Sequence, residues 1–134
     1  MLKLFACILL CLLIASCSLN SSNSSHQLTG QVRAATSSSA VVVYNEAPAQ
    51  FTEIAIVSAR SIGSTVAGKQ SKQDEVINAL ISEAAALGAN GVVLTKFEEE
   101  AVKERVSSFD GVQSSVRDVI KYYHNAQGLA VFVD

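Results

Sequence analysis

The spacing of apolar positions changes repeatedly along the chain, and each change predicts an element. Residues 4–15 are an unbroken apolar run, whereas residues 18–39 (SLNSSNSSHQLTGQVRAATSSS) show no periodicity and carry Arg33 as their only charge. Such a composition cannot bury enough surface to offset ordering, and it reads as a tether. Order is expected from Ala40-Val41-Val42-Val43-Tyr44, a β-branched strand that stops at the turn-forming Asn45-Glu46-Ala47-Pro48. Residues 51–60 read as a second strand with both faces partly apolar, Phe51, Ala55, Val57 and Ala59 on one and Ile54 and Ile56 on the other. Spacing then switches to three and four. Val76, Ile77, Leu80, Ile81, Ala84 and Leu87 form the stripe of an amphipathic helix over residues 72–87. Ser71 is its expected cap, with Asp74 at the capping-box acid position and Gly88 suited to a left-handed C-terminal cap. Residues 92–97 (VVLTKF) follow as a strand.

Residues 98–124 admit two readings. Phe97, Ala101, Val102 and Val106 have helical spacing, as have Val112, Val116, Val119 and Tyr123. The Ser107-Ser108-Phe109-Asp110-Gly111 turn, followed by alternating Val112, Ser114, Val116, Asp118, Ile120 and Tyr122, favours an extended hairpin arm. Residues 128–133 (GLAVFV) close the fold as a strand. The expected class is α+β, one principal amphipathic helix packed on a small, mainly antiparallel β-sheet. The expected organisation is a leader over residues 1–16, a lipidated Cys17 with its disordered tether over 17–39, and a folded domain over 40–134.

Composition matters mainly through the leader. The chain has 134 residues, of which 49% are hydrophobic and 16% charged, with a net charge of −2. That excludes a disordered protein, a basic nucleic-acid module and a multidomain enzyme. Lys3 and the apolar run have the layout of a signal peptide, and a run of about a dozen residues is well short of the ~20 that span a bilayer. Ile14-Ala15-Ser16-Cys17 resembles the bacterial lipobox, in which the cysteine receives a thioether-linked diacylglycerol before cleavage on its N-terminal side. In that pathway the new amine is acylated as well, and several chains give the stable attachment that one would not. Ser18 in place of Asp is compatible with export to the outer membrane. Cys7 and Cys11 leave with the leader and Cys17 carries lipid, so the mature chain has no pair to form a disulfide. Lys3 leaves too, moving the net charge from −2 to −3, which gives no electrostatic reason to bind nucleic acid or anionic headgroups. Treated as a coil, the 22 residues of the tether reach roughly 25 Å on average and roughly 70 Å pulled straight.

Candidate chemistry is sparse. Gly63-Ser-Thr-Val-Ala-Gly68-Lys69-Gln70 has the glycine and lysine spacing of a phosphate-binding loop, but Gln70 stands where a Mg²⁺-ligating Ser or Thr is needed. A flexible loop with Lys69 in solvent is the expectation. Glu98-Glu99-Glu100 lack the spacing and glycine turn of a calcium loop and read as a solvated face. His26 in the tether is expected in solvent, and His124, beside Tyr122 and Tyr123, is expected to be packed or exposed. With two histidines and no Gly-x-Ser-x-Gly elbow, a nucleophilic triad has no support. No catalytic residue, metal site, cofactor or nucleotide is therefore expected. The expected partners are the membrane, through the lipid on Cys17, and another envelope component. The alternative is a small-ligand or metal-binding periplasmic module using the 63–69 loop or the 98–104 arm.

Val41-Val42-Val43-Tyr44, Pro48, Ile54-Ala55-Ile56-Val57, the phrase from Ala79 to Leu94 (ALISEAAALGANGVVL) and the closing Gly128-Leu129-Ala130-Val131 together resemble small bacterial envelope proteins. These are the outer-membrane stress-sensing lipoprotein of the Rcs phosphorelay, the YbjQ-like heavy-metal-binding family, and related uncharacterised lipoprotein domains, the branch this chain resembles. The resemblance covers residues 41–97 and the last strand and implies the fold. The Rcs type is stapled by disulfides that this mature chain cannot make, and the metal-binding type needs His, Cys or clustered acids that it lacks, so neither function is carried over.

Overall fold

The computed structural model describes residues 22–134, so the leader and Cys17 lie outside the described residues. Five strands form one sheet in the order β1-β3-β5-β4-β2. They are β1 (Ser22–Leu28), β2 (Val42–Tyr44), β3 (Thr52–Ser61), β4 (Gly91–Phe109) and β5 (Ser114–Phe132). Among the described residues one α-helix, α1 (Lys69–Ala86), covers one face. All pairings are antiparallel except β2 with β4, which agrees with the α+β class expected.

Small side chains set how closely the helix lies. Ala55, Val57 and Ala59 of β3 and Ala126 and Ala130 of β5 are buried beneath Val76, Leu80 and Ala84 of α1, while Ile77 and Ile81 close the edges. Alanines on the two central strands leave room for the helix's longer Val and Leu. Gly88 ends the helix at φ +85°, as its position suggested. The helix starts at Lys69, before the expected Ser71, which lies in its first turn and does not cap it. The 3₁₀ turn Val66–Gly68 runs directly into α1 through backbone bonds, so continuity of the turn replaces a side-chain cap.

The tether needs correction over its described part. Ser22–Leu28 is an edge strand in register with β3 from Ser22 opposite Ser61 to Leu28 opposite Ala55. Its fastening is polar: Ser24 Oγ donates to Glu83 at 2.8 Å, and His26 Nδ1 pairs with the same carboxylate at 2.5 Å. Residues 33–36 then supply donors that the helix end lacks, Arg33 N–H to Leu87 O at 3.0 Å and Thr36 N–H to Ala85 O at 2.9 Å. Arg33 also lays its guanidinium 3.9 Å over the Phe132 ring. Backbone pairing and helix capping need no apolar periodicity, which is why a Ser/Asn-rich segment can join the fold.

The hairpin reading of residues 98–124 holds. β4 and β5 pair without interruption from Lys96 opposite Gln127 to Phe109 opposite Ser114. A bulge between Leu94 and Lys96, where Thr95 Oγ1 donates to Gln127 O at 3.0 Å, marks where β4 leaves the core. Past Asn125 the pair continues with no strand on either side among the described residues, apart from one bridge between Ser64 and Tyr122.

Candidate binding surfaces

Three surfaces are built by this arrangement: the base of the arm, the helix-free face of the sheet, and the outer arm. At the base, strand alternation splits Glu98, Glu99 and Glu100 between faces. Glu98 pairs with Lys96 at 3.1 Å and Glu100 with Arg60 at 3.1 Å on the open face. Glu99 points to the helix side, where Lys69 Nζ approaches to 2.8 Å and His124 Nε2 to 3.3 Å. The three carboxylates cannot converge on one cation, and no metal-binding cluster occurs among the described residues.

Lys69 is not the solvated lysine expected of a loose loop. It bridges Glu99 and the Tyr122 ring, whose centroid lies 3.7 Å from Nζ, and so fastens the start of α1 to the arm. The same ammonium, with His124 second, holds the Glu99 carboxyl below the ordinary carboxylate range. Gly63 lies against the side chains of Lys121 and Tyr123, so the loop is packed on the arm's base. Ser64 reinforces this with reciprocal backbone bonds to Tyr122 at 3.0 and 2.9 Å. His124 is 2% exposed. Its backbone N–H donates to Ser61 Oγ at 2.9 Å, its ring lies 6.0 Å from that of Phe97, and its Nδ1 has no hydrogen-bond partner among the described residues.

A second cluster lines the arm's other face. Tyr123 donates its hydroxyl to Glu104, Lys121 reaches Glu104 at 3.0 Å, and Arg60 stacks 4.7 Å from the Tyr123 ring. Those two donors lower the Glu104 carboxyl, and the resulting carboxylate raises Tyr123 and Lys121. The helix-free face next to this cluster holds a shallow depression of about 460 Å³. Asn23, Ser25, Ser58, Asn125 and Gln127 form its neutral floor, and Arg60, Lys96 and Glu98 its charged rim. These groups can hydrogen-bond an uncharged polar molecule, and none is placed as a nucleophile beside a base.

The outer arm is the third surface. Register puts Ile120, Val116 and Phe109 on the helix side of the ribbon, with Val112 in the turn. Phe109 is 68% exposed and Val112 92%. Asp110 closes the turn by accepting from the Val112 and Gln113 amides at 2.9 and 2.7 Å, which lowers its carboxyl, and Gly111 takes φ +96°.

The sequence singled out Glu98, Glu99, Glu100, Lys69 and His124 separately. The structure joins Lys69, Glu99 and His124 with Tyr122, leaves Glu98 and Glu100 on the opposite face, and puts His26 on Glu83. Arg60, Tyr123 and Glu104 were missed, because their meeting depends on cross-strand register that no local spacing encodes. Among the described residues no helix is long and apolar enough to cross a membrane.

No protein-family model and no curated protein matches the chain. Among solved structures, the crystal structure of a Francisella virulence factor, FvfA, covers 84% of this chain and 99% of its own, with a TM-score of 0.52. The two sequences are 17% identical, so what this chain shares with that protein is the fold.

Proposed function

We propose that this chain is a lipid-anchored, non-enzymatic protein of the bacterial cell envelope, attached through acyl chains on Cys17. The folded domain faces the periplasm from the outer membrane, where it binds or senses another envelope component. The observation that carries this reading is Ile14-Ala15-Ser16-Cys17, placed directly after an apolar run too short for a permanent span. The arm adds support. A two-stranded ribbon with apolar side chains in solvent contributes little to folding, whereas open strand edges and exposed apolar patches are what partners use.

Intact mass of the protein from a bacterial membrane fraction tests the reading. Wild type is expected to lack residues 1–16 and to carry a diacylglyceryl group and an amide-linked acyl chain, with neither change in Cys17→Ser. An unmodified wild-type polypeptide of full length contradicts it.

A second reading, a small-ligand module, is favoured by the polar depression and not by the 63–69 loop or the glutamates, whose charges are already paired. Calorimetric titration with neutral oligosaccharides tests it. Heat that disappears in Asn125→Ala supports it, and no heat removes it.

A further inference from the structure

The described chain enters the fold at the end of the sheet from which the arm projects. Ser22 lies opposite Ser61, one register position beyond Arg60, which pairs with Asn125 at the root of the arm. Cys17 precedes Ser22 by five residues, which in any conformation span no more than about 18 Å. The arm is longer. From Glu99 to Phe109 it advances ten residues, about 33 Å at the rise of an antiparallel strand. This comparison, resting on the lipoprotein reading above, constrains where the arm can lie. Ser22 is held within about 18 Å of the bilayer and is level with the root along the strands, so an arm of about 33 Å cannot stand upright toward that bilayer unless the tip plunges into hydrocarbon.

Plunging is disfavoured by the backbone. Among the described residues each strand of the outer arm has one edge without a partner, and unpaired N–H and C=O groups have no acceptors or donors in hydrocarbon. Lying along the interface leaves those groups to headgroups and water while apolar side chains enter the acyl boundary. Phe109, Val112, Val116 and Ile120 are exposed and available for this. Lys103 and Arg105 share Asp118 at 3.1 and 3.4 Å on that face, so one positive charge is left over beside the apolar side chains and would add a small attraction to anionic headgroups.

We infer that the arm is a second membrane contact: it lies inclined to the bilayer that holds Cys17 and does not stand upright on it, with Phe109 and Val112 seated in the headgroup and acyl boundary. The occupant of the apolar tip is thus a lipid surface. Contact at two points, the acyl chains and the tip, fixes the domain's orientation so that its polar sheet face stays in water.

The test uses the acylated full chain in vesicles of phosphatidylethanolamine and phosphatidylglycerol at three to one. Cys17 is blocked by lipid and the other cysteines leave with the leader, so Val112→Cys and, at the opposite end of the sheet, Thr52→Cys each give one labelling site for an environment-sensitive fluorophore. Both positions are exposed, and an unchanged melting temperature checks each variant. Quenching by acyl chains brominated near the headgroup is expected to be at least threefold stronger at 112 than at 52. With a probe at Val116→Cys, adding Phe109→Asp and Val112→Asp should reduce quenching to the level at 52. Equal, weak quenching at 112 and 52 in protein that is acylated and vesicle-bound overturns the arm contact and leaves the lipoprotein reading intact. A shift in emission without lipid quenching means that arms pair between copies and overturns it too. Absence of acylation by intact mass overturns both.

Discussion

β4 and β5 pass through two environments along their length, and the contrast separates what holds this protein together from what it presents. In the body, Val92, Ala126, Ala130 and Val131 are buried and the helix covers one face. In the arm the same strands carry Phe109, Val116 and Ile120 into solvent. Burial stabilises the first part. The second depends on the backbone ladder, the Asp110 turn and rows of exposed ion pairs, each of which is worth little alone. Stability is concentrated in the body, and the arm holds its apolar side chains in solvent.

The largest effect expected is in the body. Leu80 is 1% exposed, and Leu80→Ala should cost about 2–5 kcal/mol in urea denaturation. Ile120→Ala on the arm should stay within about 0.5 kcal/mol. Comparable losses would erase the distinction between the regions. Next comes Gly88→Ala, which places a Cβ at φ +85° and 2.6 Å from Arg33; a loss of about 1–2 kcal/mol is expected, more if Arg33 cannot move. Excising residues 104–119 and joining Lys103 to Ile120, its cross-strand partner, through Asn-Gly should leave the melting temperature within about 5 °C. A collapse of the fold would show that the arm is structural.

The smallest effect is in pH. Glu99, Glu104 and Asp110 have carboxyls lowered from 4.5, 4.5 and 3.8. Their contribution is complete above those ordinary values and is lost as pH falls through the depressed ones. Tyr123 and Lys121 are raised from 10.0 and 10.5, so theirs is complete below those values and lost as pH rises through the raised ones. Amide protection factors at the arm's base should therefore be flat between about pH 5 and 9 and fall on either side, with a weaker acid limb in Glu104→Gln. Protection in the body between β3 and β5 should not follow the same curve.

Elements built on periodicity could be read from the chain. The stripe from Val76 to Leu87 and the Asp110-Gly111 turn between alternating strands encode their own geometry, and both are where the spacing put them. β1 could not be read, because SNSSHQL pairs through its backbone and is fastened by a carboxylate on Glu83, 57 residues beyond His26. The arm's base was legible only in pieces. Lys69 and Glu99 lie 30 residues apart, and their meeting depends on the register that brings the helix start beside Tyr122.

The most direct test of the division between a stabilising body and a presenting arm uses residues 18–134, free of leader and lipid, with and without the 104–119 excision. Co-sedimentation of each with isolated bacterial envelope fragments is the measurement. The account predicts that the intact arm gives saturable binding and that excision abolishes it while the melting temperature holds. Equal binding by both forms, or none by either, would contradict it.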